Sequence, residues 1–107
     1  MEKNWIPHSR SAQLVMAKRW VDLLPGKEKE WQIPRAMIQR MRELTADAEL
    51  LHARTDDPKA TKGDEALART AFHELVTHMK DLRAKFGFYT AADGSGLYRP
   101  RFPVHAS

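Results

Sequence analysis

Between Asp64 and Phe86 the apolar residues Ala68, Phe72, Leu75, Met79, Leu82 and Phe86 recur at alternating spacings of four and three. At about 100° per residue, that period gathers all six into one narrow stripe of a helix. Local chemistry marks both ends. Asp64 and Glu65 stand at the start, where carboxylates suit the exposed N–H groups, and Lys80, Arg83 and Lys85 crowd the last turns. Gly87 follows as a residue able to take the left-handed conformation that ends a helix, which puts Phe88 in position to touch Leu82. An apolar stripe on a charged rod must be covered, so other segments have to supply matching faces.

Two upstream segments do so. Met37, Met41, Leu44, Ala48 and Leu51 form a second stripe and predict a helix from Pro34 to Arg54, with Pro34 as its first residue, where a missing N–H is harmless. Asp56, Asp57, Pro58 and Gly63 give the connection turn chemistry, so the two helices should form an antiparallel hairpin. Ahead of it, Ser9 or Ser11 can cap a first helix with Leu14, Ala17, Val21 and Leu24 on one face, flanked by Trp20. That helix should lie in the groove of the hairpin. Pro25-Gly26 kinks or stops it, and Lys27 to Trp31 continue it for a turn and a half. Residues 1–8 read as an extended lead-in, with Trp5 and Ile6 available to dock. After Gly87 the periodicity disappears: Thr90 can cap one helical turn over Ala91 to Leu97, and 97–107 reads as extended. The expected fold is therefore all-α. It is an antiparallel three-helix bundle, four-segmented if the first helix kinks, over residues 1–88, with an irregular proline- and glycine-containing tail over 89–107.

A chain of 107 residues suffices for one domain with a modest core. Its 42% hydrophobic and 30% charged residues fit a soluble helical protein and not a disordered one. The absence of cysteine excludes disulfides, thiolate chemistry and cysteine-ligated metals, and suits a cytoplasmic protein. The longest early apolar run, Leu14-Val15-Met16-Ala17, is too short for a signal peptide, and no membrane span or membrane partner is expected.

Motifs that would carry chemistry fall short of their requirements. His73 and His78 are five residues apart, about 140° around a helix, where the zinc-protease pattern needs four. Glu49 and His52 have the Glu-x-x-His spacing of di-iron bundles, which need that motif twice; Glu74 and His78 are spaced by four instead. Gly94-Ser95-Gly96 lacks the strand, lysine and helix of a phosphate loop, and no base is near Ser9, Ser11, Ser95 or Ser107. No catalytic, cofactor-binding or metal-ligating residues are assigned, no cofactor is expected, and the chain is read as a non-enzyme.

The formal charge of +4 permits an acidic partner. Arg35, Arg40 and Arg42 decorate the second helix, and Lys80, Arg83, Lys85, Arg99 and Arg101 would share one end if the tail folds back. With 14 acidic against 18 basic residues interspersed, this is also how an ordinary helical surface looks. Nucleic-acid binding is the alternative reading, and a metal-dependent enzyme ranks behind it. The leading reading is a protein-interaction or structural module that pairs with itself or with another protein. Met16 and Leu23 form a second apolar side of the first helix, with Val15 displaced from both, and Trp20 is of a type enriched at binding hot spots. Val15, Met16, Trp20 and Leu23 are the expected interface. The competing reading has Trp5, Trp20 and Trp31 complete a small core with the tail.

Asn4-Trp5-Ile6-Pro7, the run from Ser11 to Leu24 and Trp31-Gln32-Ile33-Pro34 together resemble a group of uncharacterised bacterial proteins. In that group an N-terminal helical module is often followed by a fibronectin- or immunoglobulin-like sandwich. The resemblance spans about the first 88 residues and implies a helical bundle, with no catalytic or binding residue to carry over. Ser107 leaves no room for a sandwich, and Tyr98-Arg99-Pro100-Arg101 would occupy the place of the linker.

Overall fold

A computed structural model describes residues 5–91 and 96–99. Three long helices pack together: α1 (Arg10–Leu23), α3 (Arg35–Thr55) and α4 (Lys62–Phe86). The one-turn α2 (Glu28–Trp31) lies between the first two. Ser9, not Ser11, caps α1, its hydroxyl accepting from the Ala12 N–H at 3.1 Å. Pro25-Gly26 does both things expected of it. It ends α1, and the 3-10 turn Leu24–Lys27 then passes the chain into α2. Leu24 and Trp31, on either side of this break, are both buried.

Gln32 closes α2 in the left-handed conformation, at φ 55°, with its N–H on the Glu28 and Lys29 carbonyls. A non-glycine residue there carries a steric penalty of roughly 1–2 kcal/mol. Buried Trp31 and Ile33 on either side hold it in place. Pro34, the expected first residue of the second helix, stands just outside α3 with extended ψ of 136°, so the helix starts one residue later than expected, and the Pro34 carbonyl accepts from Met37 and Ile38.

The hairpin of α3 and α4 is antiparallel. His78 meets the Met37 carbonyl near one end and His52 meets Phe72 near the other. On α4 the expected stripe is buried from Ala68 to Leu82, Ala71 joins it, and Phe86 is half-buried. The α4 start lies two residues ahead of Asp64. Thr61 caps it by accepting from the Asp64 N–H at 3.1 Å, and the Asp64 carboxylate accepts from the Thr61 N–H at 3.0 Å. On α3 the buried set is Ile38, Met41, Leu44, Thr45 and Ala48, while Met37 and Leu51 are half-buried. The stripe is broader than expected because α3 is the central helix, packed against both α1 and α4. Thr45 is accommodated by donating its hydroxyl to the Met41 carbonyl at 2.8 Å. The first helix lies chiefly on α3, with lighter contact to α4.

The segment after Gly87 differs most from expectation. Gly87 does end α4 in the left-handed region, at φ 64°, its N–H on the Arg83 carbonyl. Beyond it, β1 (Tyr89–Thr90) pairs antiparallel with β2 (Leu97–Tyr98), Tyr89 opposite Tyr98 and Thr90 opposite Leu97. The Ala91 N–H on the Gly96 carbonyl continues the pairing. Both ends of the expected helical turn over 91–97 therefore belong to a hairpin; Ala92 to Ser95 lie outside the described residues, as do Pro100 to Ser107. The core does not stop at residue 88 either, because Leu97 is buried in it with Phe88.

Candidate functional site

The aromatic residues build the surface around α1. Phe88 is fully buried, edge-on to Trp20 at 4.9 Å between ring centroids and stacked on Trp31 at 5.4 Å. Trp5 stacks on Trp20, at 5.8 Å and 2° between planes. Three tryptophans far apart in sequence thus form one ladder through a phenylalanine of the C-terminal segment. Trp20 also donates its indole N–H to the Thr90 hydroxyl at 3.3 Å, tying α1 to β1. The lead-in is held on α1 by Gln13, whose side-chain amide donates to the Pro7 carbonyl at 2.9 Å.

Of the four residues expected at an interface, Trp20 is a correction: it is 0% exposed and serves the core, as the competing reading of the tryptophans had it. The indole is stacked on Trp5, edge-on to Phe88 and bonded through its N–H to Thr90, so its contacts are within the chain. Leu23 is half-buried against the core. Val15 and Met16 do stand at a surface. Val15 is 71% exposed, and with half-buried Met16 it borders a groove of about 260 Å³ that Pro7, Ala12 and Thr90 also line. Trp20 forms part of its wall, and Arg19 is the charged residue lining it. The lead-in and the hairpin make this groove, so α1 periodicity alone could not reveal it.

A second apolar surface was not anticipated. Leu50 and Leu67 are 58% and 54% exposed and border a groove of about 360 Å³ between α3 and α4, with Leu44 and Leu51 in its lining. The signal was present in the sequence, since both leucines fall one residue off the buried stripes and neither had an assigned partner.

The residues weighed for metal chemistry are engaged separately. Glu49 pairs with Lys18 of α1, while His52 sits edge-on to Phe72 at 5.7 Å. His73 is exposed, and His78 is half-buried with Nε2 at 2.9 Å from the Met37 carbonyl. Among the described residues no group of three or more His, Asp or Glu is placed to hold a metal ion. Within the same residues, no helix is long and apolar enough to cross a membrane.

Of the cations in the segment after α4, Arg99 reaches the end of that helix. Arg99 donates to the Phe86 carbonyl at 2.8 Å and lies over the Trp31 ring at 5.4 Å, while Lys80 and Arg83 line a groove with Trp5 and Tyr89; Arg101 lies outside the described residues. The Arg83 guanidinium lies between Trp5 and Tyr89, at 4.4 and 4.5 Å from the ring centroids. At the other end of the bundle Arg10 grips Glu65 with two hydrogen bonds, of 2.8 and 3.2 Å. That hydrogen-bonded guanidinium holds the Glu65 carboxyl below its ordinary pKa, and the Arg10 value is raised in return. No family model, no curated protein and no solved structure matches the chain. The likeness to bacterial helical modules thus stands on its quoted motifs alone.

Proposed function

We propose that this three-helix protein is a self-associating interaction module and that the groove beside Val15 and Met16 is its docking face. The supporting observation is the exposure of Val15, at 71%, on the rim of a groove whose lining is apolar apart from Arg19 and Thr90. Exposed apolar surface gathered around a concavity is a feature of binding faces, whereas single exposed leucines are ordinary. The groove is also pre-formed. Trp5 on Trp20, Gln13 on Pro7 and Trp20 on Thr90 fix its two walls, so little ordering entropy is lost when it is filled. The role is binding and not catalysis.

The chain has no cysteine, so Val15→Cys carries a single thiol for an environment-sensitive dye. Titrating the labelled protein with unlabelled protein should shift the emission to the blue as the face is covered. Emission unchanged up to the highest attainable concentration would contradict self-association through this face.

A second reading, nucleic-acid binding, is favoured by Lys80 and Arg83 on a groove with Trp5 and Tyr89, and by Lys85, Arg99 and half-exposed Tyr98 near the same end of α4. It ranks second because three of these cations already have partners within the chain. Arg83 is stacked between rings, Arg99 binds the Phe86 carbonyl, and Lys85 pairs with Asp81 at 3.5 Å. Retention on a polyanion column that falls steeply with salt would raise this reading above the first.

A further inference from the structure

We infer that the chain associates head to tail, the α1 groove of one copy receiving the α3/α4 groove of the next. This rests on reading the α1 groove as an interaction face and names its partner as a second copy of the same chain. The two grooves are separate surfaces of one molecule. Glu49 reaches Lys18 of α1, and Asp47, two residues earlier, stands about 160° from it around α3 and lines the second groove. The second groove therefore opens on the side of α3 turned from α1.

Both surfaces are apolar and prominent. Val15 on one and Leu50 and Leu67 on the other are three of the four large hydrophobic residues most exposed among the described residues. Each surface offers a projecting aliphatic side chain beside a concavity, of about 260 Å³ on α1 and about 360 Å³ between α3 and α4. A Leu50 or Leu67 side chain can enter the first while Val15 enters the second.

Charge decides which surface meets which. Arg19 is the charged residue lining the α1 groove, and Asp47 and Glu74 are those lining the other. Pairing the α1 groove with its own copy places two Arg19 guanidiniums at one seam. Pairing the α3/α4 groove with itself brings four carboxylates together. Only the mixed pairing sets Arg19 against Asp47 and Glu74, and like-charge juxtaposition is what excludes wrong partners at interfaces. This pairing is heterologous, so each added copy leaves one unfilled face at each end. Growth continues until a ring closes.

Sedimentation velocity over a concentration series tests this with three proteins: wild type, Val15→Glu, and the double variant Leu50→Glu with Leu67→Glu. All three sites are exposed, and thermal melts verify that both variants fold. Wild type should grow beyond a dimer, and each variant alone should stay monomeric. An equimolar mixture of the variants should form a one-to-one heterodimer that grows no further, because each supplies the face the other lacks. Arg19→Glu should weaken wild-type assembly by about tenfold or more, and adding Asp47→Lys with Glu74→Lys should restore it. A wild type that stays monomeric, a mixture that stays monomeric, or a wild type that stops at a dimer overturns the inference. Assembly abolished by Val15→Glu but untouched by the leucine changes overturns it while leaving the α1 groove as a docking face. Assembly indifferent to both variants removes both.

Discussion

Replacing Phe88 with alanine should be among the most damaging single changes in this protein. The ring is 0% exposed and joins α1 to α2, edge-on to Trp20 at 4.9 Å and stacked on Trp31 at 5.4 Å. Truncating a fully buried phenylalanine to alanine costs about 3–5 kcal/mol. A domain of this size has roughly 5–15 kcal/mol in all. Leucine at the same position keeps most of the apolar volume and loses both ring contacts, each worth about 0.5–1.5 kcal/mol beyond burial, so Phe88→Leu should cost about 1–3 kcal/mol. Urea denaturation followed by far-ultraviolet circular dichroism gives both values, and the alanine variant should melt about 10–25 °C lower. A double-mutant cycle with Trp31→Leu should return a coupling of about 0.5–1.5 kcal/mol. A loss below about 1 kcal/mol for Phe88→Ala would refute the reasoning. It would mean that the bundle closes at Leu82 without the segment that follows Gly87.

Other outcomes follow from the caps, the charges and one unsatisfied atom. Gly87 and Gln32 end their helices in the same left-handed geometry, and a Cβ on Gly87 would meet nothing within 4 Å, so Gly87→Ala should lose about 1 kcal/mol through conformation alone. Gln32→Gly should gain up to about 1 kcal/mol, the relief of left-handed strain being partly offset by the looser unfolded chain; urea midpoints check both. The Arg10 hydrogen bonds depress the Glu65 pKa, so their contribution is complete above its ordinary value of 4.5 and fades as pH falls through the lower folded value. Wild type should therefore exceed Glu65→Gln in stability at neutral pH, with the gap closing below pH 4.5 in melts taken across the acid range. Nδ1 of His52 is buried without a hydrogen-bond partner among the described residues, beside the Phe72 ring. His52→Leu should raise stability by up to about 1 kcal/mol, and a loss would show that the edge-on contact outweighs the orphaned nitrogen.

Three helices and most of their ends follow from the sequence by itself, because the signals are local. The four-and-three spacing on α4 places Phe72, Leu75, Met79 and Leu82 in the core whatever the partner helix is, and Gly87 stops that helix through its own backbone freedom. Pro25-Gly26 breaks the first helix for the same kind of reason. The Thr61–Asp64 box was equally local, and the start at Lys62 was readable from Thr-x-x-Asp. The tertiary structure decided whatever depends on which faces meet. Thr45 and Ile38 are buried because α3 serves two neighbours, and Gln32 is held left-handed because Trp31 and Ile33 must both point inward. The pairing of β1 with β2 carries too few residues to leave a periodic signal, and it exists because Phe88 and Leu97 have a core to enter. The site divides the same way. The apolar side at Val15 and Met16 is written into α1, while the groove they border is made by Pro7 and Thr90, brought together from opposite ends of the chain when Trp20 is buried between them.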